Sequence, residues 1–245
     1  MAATFVVEDG TGKTNANSYL SEADADSYFE NHRYPLVWFG LTGATFSMDD
    51  TDNSLNDSAS GFVNAGFAAG TRLKTSGFTE AANNATWTIV SVAAGKVVLK
   101  GGTVTTEAAG DTVTVVNDKE DALRQATAYL ESQYNSRWCG DKASSTQALA
   151  WPRASIYIDG HYFSSSDLPA CLEHATAEVA LKVLEGETFL DDIEEAGSIT
   201  REKVKVGDLE EDITYAGGRS QNATYPQIDA LLREVIHAGS TLERA

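Results

Sequence analysis

The segment GTGKT at residues 10–14 contains residue types that are used to bind phosphate. A phosphate-binding loop has the spacing GxxxxGK[ST], so that its backbone N–H groups surround the anion. That spacing requires Gly at position 7, where Val7 stands. The following residues, NANSYL, also give no regular helix start that could face a phosphate. We therefore predict a polar turn before the first helix and no nucleotide site.

Histidine is a common metal ligand and general base. The four histidines are His32, His161, His174 and His237. No two of them are spaced i, i+4, and the zinc-binding pattern HExxH is absent. His174 and Glu178 share a helix face, but one His with one carboxylate is more typical of a surface pair. The histidines thus predict no metal site.

The sequence also contains no recognisable nucleophile. Cys139 and Cys171 fit no CxxC pattern, and no GxSxG motif is present. We interpret both cysteines as reduced packing residues. We therefore predict no catalytic, cofactor-binding or metal-binding residue, no cofactor and no enzymatic activity.

The WPR step at 151–153 allows two interpretations. Pro152 restricts Trp151 to an extended backbone, so the indole could be held against helices in the core. Trp and Arg are also enriched among the residues that dominate protein interfaces, so Trp151 and Arg153 could contact a second subunit. Both interpretations stay open.

The strongest signal in the composition is charge. The chain has 245 residues, with 36 acidic and 18 basic side chains and a net charge of −18. Because phosphate contacts depend on Lys and Arg, this balance disfavours nucleic acid as a partner, although a local basic patch remains possible. No apolar run approaches the ~18 residues that a membrane span needs, so we expect no membrane association.

Alternating apolar residues indicate a β segment in the middle of the chain. The patterns TWTIVSV (86–92), KVVLK (96–100) and TVTVV (112–116) are typical of strands separated by Gly and Asn turns. We predict an inserted β domain at 41–116, a barrel or a sandwich. Residues 1–40 and 117–245 then form a second, helical body.

Helical periodicity predicts four helices in that body. The first is expected over 21–34 with Ser21 as its N-cap, and the second starts at the N-cap Asp118 and ends near Gly140. The third covers 167–186 and the last runs from Pro226 to Gly239. Residues 187–224 have few apolar residues and read as an extended arm. The predicted fold class is therefore α+β, a small α-helical bundle with an inserted all-β domain and an extended arm before the last helix.

Several stretches resemble a known family. These are ALAWPRASIYIDGHYF (148–163), DLPACLEHATAEVALKVLEGE (167–187), the opening EDGTGKTNANSYLSEADADSYFENHRY, KEDALRQATAYLESQY and VKVGDLEEDITYAG. They resemble bacteriophage head-to-tail connector (adaptor) proteins, a family often labelled DnaT-like single-stranded-DNA-binding. The β segment resembles, more loosely, a small β domain inserted in various phage virion proteins.

The resemblance implies a structural virion protein of the neck, made in the cytoplasm of the host bacterium. Twelve copies would form a ring under the portal protein, join the capsid vertex to a downstream tail or neck protein, and let DNA pass through the channel without specific binding. Strands from the arm could pair with a neighbouring subunit or the portal. The candidate interface residues are Trp151, Arg153, Lys203, Val204, Val206, Ile213 and Tyr215.

Two alternatives come from other classes of function. A single-stranded-DNA-binding protein, as the family's label suggests, needs a basic groove with stacking aromatic side chains. Residues that could gather for it are Arg137, Trp138, Lys142, Trp151 and Arg153. A glycan-binding decoration module would use aromatic residues of the β domain, namely Phe62, Phe67, Phe78 and Trp87, although strand alternation should bury most of them.

Overall fold

The computed structural model describes residues 4–187, 199–205, 210–215 and 225–237. The helices are α1 (Glu22–His32), α2 (Leu36–Phe39), α3 (Lys119–Tyr134), α4 (Ala170–Leu184) and α5 (Pro226–Leu232). The strands are β1 (Leu41–Gly43), β2 (Phe46–Asp49), β3 (Ser54–Asp57), β4 (Arg72–Ser76), β5 (Thr86–Ala93), β6 (Lys96–Lys100), β7 (Val113–Asn117), β8 (Asp141–Lys142), β9 (Arg153–Ala154), β10 (Ile156–Ile158), β11 (His161–Phe163), β12 (Ile199–Lys205) and β13 (Glu210–Tyr215).

The first seven strands form one antiparallel sheet in the order β1-β7-β4-β5-β6-β3-β2. Its two edge strands, β1 and β2, are separated in sequence by Ala44 and Thr45 alone. Because so short a connection spans at most roughly 11 Å, the end of β1 and the start of β2 must lie close together. The sheet therefore curls into a barrel in which β1 and β2 act as one bent strand.

Strand alternation fills this barrel with apolar side chains. In β7, Val113 and Val115 are buried while Thr114 and Val116 are half-buried. The barrel core contains Phe46, Met48, Leu55, Phe62, Ala65, Phe67, Leu73, Phe78, Trp87, Ile89, Val97, Leu99, Val104, Val113 and Val115. All of these residues lie within the segment for which the sequence predicts β structure. Whether that segment is a separate domain stays a prediction.

A second core lies between the helices. Helix α3 packs on α4, and α4 packs on α5. Leu123 and Leu130 of α3 and Val179 of α4 are fully buried, as is Trp151 from the segment between these helices. Tyr19 and Phe29 close this core from the N-terminal side.

The predicted helical-bundle body is wrong. The described chain is mostly a seven-stranded antiparallel sheet with a few helices. Most of the stretch from 135 to 169 forms turns and the short pairs β8–β9 and β10–β11. Only α3 and α4 are long enough to pack along one another over several turns. Much of the chain between α3 and α4 is therefore held by turns and short strands rather than by helices.

The last helix is shorter than the apolar pattern predicts. It was expected to reach Gly239, but α5 ends at Leu232. The chain then forms a turn over 233–235: the N–H of Cys139 donates to the carbonyl of Val235 at 3.0 Å, and Ile236 forms an isolated β-bridge with Trp138. Val235 and Ile236 are buried through this backbone pairing rather than through a helix face.

The described part of the extended arm forms a hairpin. Strands β12 and β13 pair antiparallel, with Lys203 opposite Asp212 and Val204 opposite Glu211. The strands that we expected to pair with a neighbouring subunit thus pair with each other. Val206, a candidate interface residue, lies outside the described residues.

Candidate functional site

The GTGKT segment does surround an anion, but the anion belongs to the protein itself. The carboxylate of Glu8 accepts hydrogen bonds from the backbone N–H groups of Gly10 (3.0 Å) and Gly12 (2.8 Å) at Oε1 and of Lys13 (2.8 Å) at Oε2. Glu8 is buried. The loop's capacity to bind an anion is therefore used internally, and no phosphate site is open there.

Trp151 lies in the interior, and Arg153 beside it is half-buried. Trp151 is 0% exposed. The guanidinium of Arg153 donates to the carbonyls of Cys139 (2.6 Å) and Ala150 (3.2 Å). In the described chain both side chains hold the segment between α3 and α4 in place, which is the packing interpretation of the WPR step.

The other candidate interface residues lie in the arm hairpin. Lys203 and Val204 are in β12, and Ile213 and Tyr215 are in β13. The structure places these four in adjacent strands, with Glu202 opposite Ile213 and Ile199 opposite Tyr215. They do not share an element with Trp151 or Arg153.

Of the residues that could have formed a nucleic-acid groove around the WPR step, Lys142 is exposed in β8 opposite Arg153 in β9, but the two tryptophans are not available for stacking. Trp138 and Trp151 are both buried. Arg137 pairs with Asp229 at 3.1 Å and lies over the ring of Tyr134. The glycan alternative also finds no exposed aromatic site, because Phe62, Phe67, Phe78 and Trp87 belong to the barrel core.

Among the histidine and cysteine side chains, Sγ of Cys139 lies 3.7 Å from Nδ1 of His237. Glu178 accepts from the hydroxyl of Tyr28 at 2.8 Å and pairs with Arg33, so the expected His174–Glu178 pair is replaced by these contacts. Burial raises the pKa of the Cys139 thiol, and burial raises that of Cys171 to about 11. Both thiols are therefore protonated at neutral pH, which makes them poor nucleophiles.

A groove between β4 and the start of α3, here called the β4–α3 groove, gathers basic side chains. Its volume is about 250 Å³. It is lined by the basic residues Arg72, Lys74, Lys119 and Arg124, by the acidic residues Glu22, Asp118 and Glu120, and by Ser76, Thr86, Val116 and Asn117. The cations outnumber the carboxylates in this lining, although the whole chain has twice as many acidic as basic residues.

Local structure explains why these cations face one space. In β4, Leu73 and Thr75 point into the barrel, so alternation turns Arg72 and Lys74 outward. Helix α3 starts directly after β7, the strand that pairs with β4. The first turns of α3 therefore carry Lys119 and Arg124 to the outer side of β4.

The cations of the groove differ in how strongly carboxylates neutralise them. Arg72 pairs with Asp118 at 3.3 Å, and Arg124 lies 3.5 Å from Asp121 and 3.9 Å from Glu120. Lys74 is exposed and forms no salt bridge within the described part of the chain. Lys74 is therefore the cation most available to a bound anion.

Glu22 forms the acidic side of the groove. Burial raises its pKa, and the neighbouring carboxylates of Glu120 and Asp26 raise it further, while the ammonium groups of Lys74 and Lys119 oppose them. Protonation of Glu22 would make the groove more positive, so this carboxylate reduces the groove's attraction for anions when it is charged.

Aromatic rings lie next to the cations of the groove. The ammonium of Lys119 is 5.3 Å from the ring centroid of Trp38 and 5.4 Å from that of Phe39. The guanidinium of Arg124 is 5.7 Å from the ring of Phe5. Cations beside aromatic faces are the residue types that single-stranded nucleic acids contact through phosphates and bases.

Sequence reasoning missed this groove. The alternating RLKTS of β4 and the KEDALR start of α3 each signal an exposed basic side chain, but they are far apart in sequence. Only the β4–β7 pairing brings them together. Within the described ranges, no group of three or more His, Cys, Asp or Glu could hold a metal ion.

None of the described helices combines the length and the apolar composition needed to cross a membrane. No curated protein and no solved structure is similar enough to this chain to count as a match.

A family model described as "Putative DnaT-like ssDNA binding protein" matches residues 3–39 and 87–245. Lys119 and Arg124 lie within the match, whereas Arg72 and Lys74 lie in the unmatched stretch between its two parts. The description does not mention head-to-tail connectors, so the comparison supports the family's label and not the connector role. Because the match covers most of the chain, this protein belongs to the family of DnaT-like single-stranded-DNA-binding proteins.

Proposed function

We propose that this protein binds single-stranded DNA in the β4–α3 groove, without catalysing a reaction on it. The observation that carries the proposal is the gathering of Arg72, Lys74, Lys119 and Arg124 around one groove of an otherwise acidic chain. Such a groove can follow a phosphate backbone, and the half-buried rings of Phe5 and Phe39 lie beside its cations. The family description agrees with this proposal.

The net charge of −18 limits the affinity but does not prevent contact. At physiological salt, charges further than about 8 Å from a phosphate are largely screened. The cations that line the groove therefore act on a bound strand more strongly than distant carboxylates do. Arg72, Lys74 and Arg124 reach solvent, whereas Lys119 is largely buried and paired with Asp26 at 2.6 Å.

If Arg72, Lys74 and Arg124 each contact one phosphate, a plot of log affinity against log salt concentration should have a slope of ~−2. Each contact to a single strand contributes ~−0.7 to this slope. The test is a fluorescence anisotropy titration of a labelled oligo-dT with the whole protein over a series of salt concentrations. Lys74→Glu should lower the affinity by about tenfold at low salt and make the slope shallower by ~0.7. Both effects follow from losing one phosphate contact.

The matched control is Lys142→Glu. Lys142 is also exposed but lies in β8, outside the lining of the groove. It should leave the affinity and the slope near those of the unmodified protein. If both charge reversals weaken binding equally, or if neither does, the β4–α3 groove is not the binding site.

The second candidate function is the head-to-tail adaptor ring that the connector resemblance implies. The observation that favours it is an exposed aromatic pair on the β10–β11 hairpin, where Tyr157 and Tyr162 are 64% and 62% exposed. Exposed tyrosines are typical of protein interfaces. The proposed partners are further copies of the chain, the portal protein and a downstream neck or tail protein, in the neck of the virion.

This candidate predicts a large homo-oligomer. Light scattering coupled to size exclusion should give a mass near twelve times that of one chain, 26.2 kDa, with the portal protein present if the ring needs it as a template. Tyr157→Ala combined with Tyr162→Ala should reduce assembly. A monomer in both preparations contradicts the ring.

A further inference from the structure

An exposed tyrosine lies beside Phe39, whose ring contacts the groove-lining Lys119. Tyr34 is 68% exposed, and its ring stacks on that of Phe39 with centroids 3.9 Å apart and an angle of 7° between the planes. One face of Tyr34 is thus covered by Phe39. The high exposure of the residue leaves its other face open to solvent.

The segment that carries this pair is held firmly. Trp38, next to Phe39, is fully buried, and its indole N–H donates to Asp26 at 2.7 Å. Gly40 has φ 67°, and a Cβ at this position would lie 2.1 Å from the carbonyl oxygen of Val115 in β7. Only glycine therefore allows α2 to approach the barrel this closely. The Tyr34–Phe39 stack is positioned before any ligand arrives.

Lys119 connects the stack to the groove. Its ammonium lies 5.4 Å from the centroid of Phe39, and the same residue lines the groove. Phe39 is therefore a neighbour both of a groove cation and of the exposed tyrosine. A strand that runs along the groove past Lys119 would bring a base towards this stack.

We propose that an unpaired base of the bound strand stacks on the open face of Tyr34, and that this contact makes the site selective for single strands over duplex DNA. The inference rests on the proposed function of the groove. Every base has a π-face that can stack on an aromatic side chain, and the contact needs no particular base. In a duplex those faces are covered by the neighbouring base pairs, so a duplex can offer only its phosphates.

Stacking and phosphate contacts leave different signatures in a titration. Removing a stacked ring lowers affinity by about tenfold, whereas the salt slope stays the same because no phosphate contact is lost. Removing a phosphate contact makes the slope shallower. The two signatures separate the role of Tyr34 from the role of the groove cations.

The experiment compares Tyr34→Ala, Tyr34→Trp and Lys74→Ala in the whole protein. The probes are a labelled oligo-dT, an abasic oligonucleotide of the same length and charge, and a duplex. Tyr34→Ala should weaken oligo-dT binding by about tenfold with an unchanged slope. It should leave the abasic probe and the duplex unaffected. Tyr34→Trp should bind at least as well as the unmodified protein, and Lys74→Ala should weaken binding to all three probes.

The matched control is Tyr157→Ala, which removes a tyrosine of similar exposure from the β10–β11 hairpin. It should bind like the unmodified protein. If Tyr34→Ala also behaves like this control while Lys74→Ala weakens binding, the stacking inference is wrong. The β4–α3 groove then remains the proposed DNA-binding site. Equal loss on the abasic probe would likewise overturn stacking. If Lys74→Ala has no effect either, the proposed function itself fails.

Discussion

At the scale of single residues, Glu8 shows how a loop with phosphate-binding composition can stabilise the fold instead of binding a phosphate. Three backbone N–H groups of the GTGK turn point at one carboxylate. In an anion site these donors would face a ligand, but here they anchor the N-terminal segment. The turn was predicted from the missing glycine at Val7, while the role of Glu8 came only from the structure.

Glu8→Gln should lower the free energy of unfolding by about 2 kcal/mol. The amide –NH2 of Gln would face a backbone N–H, so at least one buried donor would lose its partner. Urea denaturation followed by circular dichroism measures the change. Glu30→Gln is the control, because Glu30 is exposed and its substitution should change stability by less than about 0.5 kcal/mol. Equal stability of the two variants would show that the carboxylate does not hold the turn.

At the scale of elements, the barrel and the helical core are built from separate sets of residues. Neither core shares a buried residue with the other. The chain enters the barrel through β1 and leaves it through β7, and Leu41 is paired with Val115 across these strands. Paired residues of antiparallel strands have Cα atoms only about 5 Å apart. A short linker can therefore replace everything between them.

Replacing residues 42–116 with a short Gly/Ser linker should leave the helical core folded. The side-chain amide of Asn117 can still donate to the carbonyl of Val37, as it does at 2.9 Å in the full chain. Far-ultraviolet circular dichroism and a cooperative thermal transition measure the result. The shortened protein should also bind oligo-dT more weakly, because it lacks Arg72 and Lys74. Insoluble or unfolded protein would show that the barrel and the helices stabilise each other, contrary to the predicted domain boundary.

At the scale of the whole molecule, charge is distributed so that a basic groove exists within an acidic surface. The excess of carboxylates keeps long-range attraction for DNA weak, and it makes any binding depend on a few contacts at short range. This explains why the composition alone disfavours nucleic acid as a partner, whereas the cations gathered in the β4–α3 groove favour such a partner.

The sequence by itself determined those features that depend on neighbouring residues. Ser21 and Asp118 cap α1 and α3 as expected, because the cap bonds to Asp24 and Asp121 span only three residues. The alternation in KVVLK likewise predicts β6 with its observed bounds. Hydrogen bonds and side-chain periods of this kind are local, so they can be read from the chain directly.

Tertiary structure alone decided the strand order, the closure of the barrel and the site. The pairing of β4 with β7 joins segments about forty residues apart, and no local pattern specifies that choice. It brings Lys74 to the same groove as Lys119 and Arg124. Long-range pairing is selected by the burial of whole faces rather than by adjacent residues, which is why the groove could not be predicted from the sequence.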